Sequence, residues 1–567
     1  TGATGTVVLA GNNTYTGATT VAEGSVLRLA TPSALGATST GSTIAAGATV
    51  DLNGQTISEP FTAINGYGVG GQGALVNSSA TEAKMLGQVT GGGSYVVGGT
   101  GNLTISTQTG GGTITKNGSG TLTLGTVQDA VDNNSVAVVV NAGKVVLAKP
   151  STAAIHALGG TSTVNAGILQ LGGTGSDQLY FGMQLKLNGG LLDLNGLSGV
   201  VSTLVSDTAT IAGTVANNAT GVSTFTVGGN VNGGNGTSTF FGQFVDNTNA
   251  GTGQLRLEKN GTGTFNLASA ATYTGGTVVT LGTLNIGANG YVGSIAGAVT
   301  VASGANLGLN RMDDSVFANV VSGAGNLAVN GAGKVTVSGA NTYAGSTVVN
   351  AGRLLLGADS TGATTGALGA NTGALALNAG LLDLNGFSLA KGAVSGNAGF
   401  QIINNGATPA TLTLGVGNTT GTLAADLNDG VSTLALRKVG TGTLTVQGNS
   451  FYTGGVTIEA GRILAGSGTA FGQGTTITVL AGGSFDINGQ SLGIVDSAAR
   501  GLNLVIAGTG DGTNAALVNT SGTVPNAGAG ILNLTLAANA TFGGSGGRFD
   551  IGRVEGSEAY GNITSAA

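Results

Sequence analysis

The amino-acid sequence predicts an all-β protein built as a parallel β-solenoid, and three observations support this fold class. Short segments alternate apolar residues with threonine, glycines recur at a spacing typical of one solenoid coil, and similar segments of about 25 residues repeat along the chain. A solenoid stacks such segments so that each coil buries its apolar face against the coil below. From the chain length we expect about 25 coils.

The alternating segments are the predicted strands. Thr121–Leu124 and Thr443–Val446 have apolar side chains at every second position, which is the pattern of a strand with one buried face. Threonine suits the other face because its β-branched side chain favours the pleated backbone and its hydroxyl can contact water. Glycine makes up 110 of the 567 residues, so long α-helices are not expected.

The spacing of strand-opening glycines gives the length of a coil. Four pairs of these glycines are 19 residues apart, and a run of four more advances by 23, 24 and 23 residues. This step is too long for a β-hairpin and too regular for a β-sandwich, but it suits one coil of a solenoid. The pairs are Gly5/Gly24, Gly263/Gly282, Gly333/Gly352 and Gly442/Gly461, and the run is Gly120, Gly143, Gly167 and Gly190.

Longer repeats divide the chain into modules. Segments with a strand, a turn and a second strand begin near residues 1, 118, 261, 331 and 440; the turn carries a tyrosine in each copy except the one near 118. We expect one continuous solenoid over residues 1–567, because a module can bury its apolar face only against its neighbours. The chain begins and ends within the repeat pattern, so we expect it to be part of a longer protein.

The composition argues against several classes of function. The chain has no cysteine and one histidine, His156, which disfavours a disulfide framework, a cysteine-built zinc site and a histidine-based catalytic triad. The net charge is −6 and the basic residues are dispersed, whereas nucleic-acid binding needs a concentrated basic face. No apolar run is long enough to cross a bilayer as a helix. We expect no cofactor, no nucleic-acid partner and no membrane-spanning segment.

A four-residue motif, Asp-Leu-Asn-Gly or Asp-Ile-Asn-Gly, occurs four times. Stacked carboxylates could form a calcium ladder, but several coils separate the copies. We interpret the motif instead as a corner where Asp and Asn cap the strand end and Gly has a positive φ. The segment Gly508–Gly512 resembles a single calcium-binding nonapeptide, and one copy cannot form a stacked site. We therefore predict no metal site. The four aspartates are Asp51, Asp193, Asp383 and Asp486.

Four tyrosines occupy the module turns: Tyr15, Tyr273, Tyr343 and Tyr452. They could form an array that stacks on sugars, but the intervals between them place them on widely separated coils. We interpret them as residues that pack the turn, with adhesion through exposed aromatic side chains as the alternative.

Carboxylate clusters are the remaining route to an enzyme. Some parallel β-helices cleave polysaccharides, and such enzymes need paired carboxylates, or calcium with a base, in one groove. Asp313-Asp314 and the segment Asp426–Gly430 are the acidic clusters, and both lie at expected turns. His156 lies at a coil break, where a turn residue is expected rather than a ligand. We predict no catalytic residues.

The repeats resemble the autotransporter-associated β-strand repeat of bacterial surface passenger domains. Gly331–Gly357 and Gly440–Gly466 are similar to it over their full length, and lead-in segments ending in Lys-x-Gly precede the modules at Leu255–Gly261 and Leu434–Gly440. The resemblance implies a right-handed parallel β-helix, exported from a diderm bacterium and located at or released from its outer surface. Adhesins and other large surface proteins are among the relatives that it implies.

These features predict a non-enzymatic structural or adhesive rod outside a bacterial cell, which mediates adhesion or assembles into a fibre or matrix. The expected partners are a second copy of the chain, joined end to end through unpaired solenoid edges, and a host-cell or surface glycan or protein. Two alternatives stay open: a polysaccharide-binding or polysaccharide-cleaving β-helix, and a calcium-dependent carbohydrate-binding module.

Overall fold

The chain folds as a parallel β-solenoid of about 21 turns, which confirms the predicted fold class. The structure is a computed structural model. It describes residues 5–36, 40–91, 93–209, 212–229, 236–472, 475–492, 501–523, 531–543, 546–547, 551 and 562–565. Among these residues none is in an α-helix, and two short 3-10 helices span Val69–Gly71 and Val416–Asn418. In the same residues no helix has the length and apolar character needed to cross a membrane.

The chain divides into two compact units, which are described separately. The first comprises Thr1–Ala288 and Val292–Gly297, and the second comprises Asn289–Tyr291 and Ala298–Ala567. The continuity of one solenoid over residues 1–567 stays a prediction.

The first unit contains three complete sheets of parallel strands. Their orders are β1-β3-β5-β8-β10-β12-β14-β16-β18-β21, β6-β9-β11-β13-β15-β17-β19-β22-β25 and β2-β4-β7. The strands up to residue 290 are β1 (Thr6–Leu9), β2 (Thr20–Val21), β3 (Val26–Leu29), β4 (Ser42–Ile44), β5 (Thr49–Asp51), β6 (Thr56–Ile57), β7 (Phe61–Ile64), β8 (Leu75–Asn77), β9 (Ala83–Met85), β10 (Tyr95–Gly99), β11 (Leu103–Ile105), β12 (Gly112–Lys116), β13 (Thr121–Leu124), β14 (Val136–Val140), β15 (Lys144–Leu147), β16 (Ser162–Val164), β17 (Ile168–Leu171), β18 (Gln184–Leu187), β19 (Leu191–Asp193), β20 (Gly199–Val201), β21 (Thr203–Val205), β22 (Thr214–Ala216), β23 (Val222–Val227), β24 (Thr237–Phe240), β25 (Gln243–Phe244), β26 (Gln254–Lys259), β27 (Thr264–Leu267), β28 (Thr277–Val279) and β29 (Thr283–Gly290).

The second unit has the same architecture of parallel sheets. Three of its sheets have the orders β32-β35-β37-β39-β42-β45, β40-β43-β46-β48-β50-β52-β54-β55 and β44-β47-β49-β51-β53. Its strands are β30 (Val299–Val301), β31 (Asn306–Arg311), β32 (Ser315–Phe317), β33 (Val321–Gly323), β34 (Asn326–Val329), β35 (Lys334–Val337), β36 (Thr347–Val349), β37 (Arg353–Leu356), β38 (Leu375–Leu377), β39 (Leu381–Asp383), β40 (Leu389–Lys391), β41 (Val394–Gly396), β42 (Gln401–Asn404), β43 (Ala410–Leu414), β44 (Gly421–Leu423), β45 (Asp426–Asp429), β46 (Leu434–Lys438), β47 (Thr443–Val446), β48 (Val456–Ile458), β49 (Gly461–Ala465), β50 (Thr476–Val479), β51 (Gly483–Asp486), β52 (Leu502–Gly508), β53 (Leu517–Val518), β54 (Ile531–Ala540) and β55 (Ile563–Ser565).

The register places like residues above one another from turn to turn. Leu122 of β13 pairs with Val145 of β15, which pairs with Leu169 of β17, which pairs with Leu192 of β19. All four are fully buried. Because side chains alternate between the two faces of a strand, the threonines of β13, Thr121 and Thr123, lie on the outer face. The core is therefore a column of aliphatic side chains with one layer for each turn.

The turns vary in length more than the glycine spacing indicates. Paired residues are 19 positions apart at Asn266 and Asn285, but 32 positions apart at Thr226 and Glu258. A turn of 32 residues is longer than any step in the glycine pattern. This is why the chain forms about 21 turns and not the 25 or so expected from the shorter spacing.

Candidate functional site

The Asp-Leu-Asn-Gly motif forms a corner that joins successive turns. At Asp383, Oδ1 accepts hydrogen bonds from the backbone N–H of Asn385 at 2.9 Å and from that of Asn405, in the next turn, at 3.0 Å. Asp383 Oδ2 accepts the Nδ2 group of Asn405 at 2.9 Å. Asn385 has a left-handed backbone with φ of 51°, and Gly386 follows with φ of 83°. These two residues end β39 and redirect the chain.

The asparagine of the motif extends this corner to the preceding turn. Asn385 Nδ2 donates to the Leu356 carbonyl oxygen at 3.0 Å, while the Gly386 N–H donates to Asn404 Oδ1, in the following turn, at 2.8 Å. The other three motifs repeat the arrangement. Their bonds from the asparagine N–H to the aspartate Oδ1 measure 3.0 Å at Asp51, 3.0 Å at Asp193 and 2.9 Å at Asp486.

All four motif aspartates are buried. A buried carboxylate is costly unless several donors compensate its charge, and here each carboxylate accepts three or more hydrogen bonds from protein groups. Their oxygens are therefore engaged in joining turns.

A side chain of the preceding turn also reaches these carboxylates, which sequence reasoning missed. Arg28 Nε lies 2.8 Å from Asp51 Oδ2, and Arg462 Nη1 lies 3.4 Å from Asp486 Oδ2. The signal in the sequence is spacing, because Arg28 precedes Asp51 by 23 residues, which is one turn. The Arg28 side chain is 45% exposed, so this ion pair contributes no more than about 1 kcal/mol.

The module tyrosines pack inside the solenoid at three of their four positions. Tyr273, Tyr343 and Tyr452 are fully buried, whereas Tyr15 is 39% exposed. The hydroxyls of Tyr273 and Tyr343 hydrogen-bond to the threonine four residues later, at 2.6 and 2.7 Å. Burial raises the pKa of all three buried phenols. A sugar cannot stack on a buried ring, so of the four tyrosines only Tyr15 presents surface to a ligand.

Tyr452 differs from its two buried counterparts. The residue four positions later is Val456 instead of threonine. Within the described part of the chain the buried Tyr452 hydroxyl has no hydrogen-bond partner. A buried polar group without a partner is a local cost to stability.

The lysines that end the lead-in strands form a second kind of corner. Lys259 Nζ donates to the carbonyl oxygens of Asn260 at 2.5 Å, Gly261 at 2.7 Å and Leu281 at 3.2 Å. Lys438 makes the matching three bonds at 2.7, 2.6 and 3.2 Å. Burial lowers the pKa of both ammonium groups to about 8. Each lysine thus links carbonyl groups of two turns, a role that the repeated Lys-x-Gly lead-in could have indicated.

His156 contacts a carboxylate through its ring, and the Asp313-Asp314 cluster takes part in local ion pairs. His156 Nδ1 lies 2.9 Å from Asp132 Oδ1. Asp313 accepts hydrogen bonds from Arg311 Nε at 2.8 Å and Nη2 at 2.6 Å, and this arginine lowers the pKa of Asp313. A glycosidase needs a general acid with a raised pKa, so the shift is in the opposite direction.

The second acidic cluster lies in strand β45 (Asp426–Asp429), so the turn that the sequence predicts there is wrong, whereas the nonapeptide-like segment begins at the end of β52 and continues into a turn. Asp429 Oδ2 accepts the Thr453 hydroxyl at 2.6 Å, and Asp429 Oδ1 accepts the Leu434 N–H at 2.7 Å. Asp511 Oδ1 accepts the N–H groups of Thr513 and Asn514 at 2.9 and 2.7 Å. Over the residues that the structure describes, no group of three or more His, Cys, Asp or Glu side chains could hold a metal ion.

An apolar groove of about 330 Å³ lies beside β1, and Val7, Leu9, Val21 and Val26 are among the residues that line it. β1 is the edge strand of its ten-stranded sheet and pairs with β3 on its inner side. Val7 and Val8 are 55% and 53% exposed. An edge strand has unpaired backbone N–H and C=O groups, and with exposed apolar side chains it can pair with a strand of another chain.

Comparison with protein families identifies the repeats. Five segments match the family described as "Passenger-associated-transport-repeat": residues 1–29, 114–129, 257–286, 327–356 and 436–465. They coincide with the five modules and contain the three buried tyrosines and the two lead-in lysines described above. The match confirms the resemblance that the sequence indicates.

One curated relative supports the same class. The chain is 37% identical over 82 residues to a protein called "Adhesin BmaC autotransporter" from Brucella suis biovar 1 (strain 1330). The aligned segment is 14% of this chain and 2% of that protein, so the chain spans a small fraction of its relative's length. No solved structure gives a significant match.

The chain is a β-solenoid in which five segments match the passenger-associated transport repeat. In these segments it is similar to autotransporter passenger proteins.

Proposed function

We propose that the chain is the non-enzymatic, structural and adhesive part of a protein exported to the outer surface of a diderm bacterium. The observation that carries this proposal is that the side chains able to perform chemistry are used to hold turns together. The four motif aspartates are buried among hydrogen-bond donors, and the lead-in lysines are buried among carbonyl oxygens. The printed name of the relative, an adhesin, is consistent with this role.

The test is adhesion by the purified chain. Beads coated with folded chain should attach to cell monolayers or to surfaces coated with extracellular glycans and proteins. Attachment should saturate with coating density and should persist in a calcium chelator. Beads coated with heat-unfolded chain are the control. Attachment equal to that control on every surface would contradict the adhesive role.

The same protein tests the polysaccharide-cleaving alternative. An enzyme would release new reducing ends from a polysaccharide, and the release would depend on Asp313 or Asp429. We expect no release, because these carboxylates are engaged by Arg311 and by Thr453. Reducing ends that appear with the wild-type chain and disappear with Asp429→Ala would overturn the proposal.

A second candidate function, assembly into a fibre, is favoured by the edge strands. β1 carries the exposed residues Val7 and Val8, and β55, the edge strand of another sheet, carries Ile563, which is 58% exposed. Contact between the β1 edge of one copy and the β55 edge of a second copy is a head-to-tail interface, which builds open filaments. We propose this contact as the route of self-association.

Sedimentation velocity over a range of concentrations tests this contact. The wild-type chain should form oligomers, and a Val7→Lys/Val8→Lys variant should shift towards the monomer because charge on an edge strand blocks pairing. Val431→Lys is the matched control, since Val431 is 76% exposed in a turn. A monomeric wild-type chain at every concentration, or equal loss of oligomers in the control, would rule out this route.

A further inference from the structure

A polar cluster buried beside β14 differs from the other corners of the solenoid. The Lys149 side chain is fully buried, and its Nζ lies 2.9 Å from Asp129 Oδ2, whose side chain is 1% exposed. Asp129 and Asn133 lie in the segment between β13 and β14, and Lys149 follows β15. Nζ also donates to the Val131 carbonyl oxygen.

Asn133 completes the cluster. The residue is 3% exposed, and the orientation of its carboxamide follows from its neighbours. The Nδ2 group donates to the Gln108 carbonyl oxygen at 2.5 Å, and Oδ1 then accepts from Lys149 Nζ at 3.1 Å. One amine, one carboxamide and one carboxyl group therefore meet in a site closed to water.

This combination separates Lys149 from the other buried lysines. Lys116, Lys259, Lys391 and Lys438 donate to backbone carbonyl oxygens, which cannot react with an amine at an appreciable rate. Among the residues that the structure describes, Lys149 is the buried lysine that contacts both a carboxylate and a side-chain amide. It also lies in the module that lacks the turn tyrosine.

We propose that Lys149 and Asn133 form an intramolecular isopeptide bond, with Asp129 as the proton-transfer residue. The Lys149 ammonium gives a proton to the Asp129 carboxylate, and the free Nζ lone pair attacks Cγ of Asn133. A proton passes to the amide nitrogen, the Cγ–Nδ2 bond breaks, and ammonia leaves. The product is an amide between Nζ and Cγ. No electrons are transferred and no co-reactant is needed.

Burial favours the neutral form of the Lys149 amine, which is the form that attacks Cγ. Burial lowers the pKa of Lys149, while the ion pair with Asp129 opposes that shift. In a site of low polarity a proton shared between an amine and a carboxyl group can move to give the neutral pair. The product amide carries no charge, so the cross-link replaces a buried ion pair with a neutral group.

Mass spectrometry of the purified full chain tests the proposal. The intact mass should be about 17 Da below the mass of the sequence, because one ammonia is lost. Trypsin should then release one linked species that joins residues 117–144 to residues 145–186, since Lys149 precedes proline and is not a cleavage site. An intact mass equal to the sequence mass would overturn the proposal.

Two other outcomes would also overturn it. A loss of about 18 Da with a link from Lys149 to Asp129 would indicate a different bond, formed with loss of water. A loss of about 17 Da confined to residues 117–144 alone would indicate cyclisation at the Asn117-Gly118 pair in that peptide.

Matched variants assign the roles within the cluster. Lys149→Arg, Asn133→Ala and Asp129→Asn should each abolish the linked species and restore the mass expected from the sequence. Lys438→Arg and Asn134→Ala are the controls, because Lys438 is buried among carbonyl oxygens and Asn134 is exposed. Both should retain the full mass loss. A complete cross-link in Asp129→Asn would remove the proton-transfer role from Asp129.

Discussion

The hydroxyl of Tyr452 offers a direct test of how the buried turns are stabilised. The equivalent hydroxyl of Tyr343 bonds to Thr347 at 2.7 Å, but Val456 occupies the partner position at Tyr452. A buried hydroxyl without a partner costs about 1–3 kcal/mol, whereas a paired one contributes about 1 kcal/mol net. We expect Tyr452→Phe to stabilise its turn by about 1 kcal/mol and Tyr343→Phe to destabilise its turn by about 1 kcal/mol.

Hydrogen exchange measured by mass spectrometry is the appropriate assay, because a long repeat protein need not unfold in one cooperative step. Exchange reports the opening of each turn, and 1.4 kcal/mol corresponds to about a tenfold change in rate. Peptides over residues 443–466 should exchange about fivefold more slowly in Tyr452→Phe. Peptides over residues 334–357 should exchange about fivefold faster in Tyr343→Phe.

A complementary variant supplies the missing partner. Val456→Thr places a hydroxyl four residues after Tyr452, as in the other two modules, and should slow exchange in the same peptides. The reasoning is refuted if Tyr452→Phe accelerates exchange to the extent that Tyr343→Phe does, because the Tyr452 hydroxyl must then have a partner in solution.

Three further predictions concern the corners. Asp383→Ala should lower the free energy of unfolding of its turn by about 3 kcal/mol, because three hydrogen-bond donors lose their buried acceptor. Asp426→Ala removes one hydrogen bond from a backbone N–H and should lower it by about 1 kcal/mol. Urea unfolding followed by hydrogen exchange compares the free energies of the two variants. The free energy of unfolding should rise from pH 8 to pH 10 by at most about 2 kcal/mol for each buried lysine, because the unfolded chain binds more protons than the folded chain in this range, and Lys438→Met should reduce the rise. Above pH 10 the buried tyrosines should reverse the trend, because their phenols lose the proton more readily in the unfolded chain. A flat profile between pH 8 and pH 10 in urea titrations would contradict the lysine assignment. Gly461→Ala should make its turn sensitive to limited proteolysis, because the added Cβ would lie 2.5 Å from two carbonyl oxygens at a residue with φ of 67°. In Gly17→Ala the added Cβ meets no atom within 4 Å, so the rate of proteolysis should equal that of the wild type.

The repeat pattern was sufficient to predict the strands and their order of stacking. Alternation in Thr121–Leu124 predicts which side chains point inward, and the spacing to Lys144–Leu147 predicts the parallel partner strand. The number of turns was predicted less well. The turn from Thr226 to its paired residue Glu258 spans 32 residues, more than the glycine spacing indicates, so spacing alone overestimates the count.

The chemistry of the corners could be anticipated in part. The local geometry of Asp383, Asn385 and Gly386 follows from short-range preferences of Asx residues and glycine. The contact of Arg28 with Asp51 and the burial of Lys259 depend on residues one turn away, and they need the register to be known.

The sequence by itself determined that this chain is a parallel solenoid of repeated coils, because period-two alternation and glycine spacing are local properties of the sequence. Only the tertiary structure decided the state of each polar side chain. The sequence shows that Tyr452 is followed by Val456 where Tyr343 is followed by Thr347, but the burial that makes an unpaired hydroxyl costly at Tyr452 is a property of the fold. Lys149 meets Asp129 and Asn133 only because the chain folds back across β14 and β15, and the charge and hydrogen bonding of a buried group are fixed by its neighbours in space.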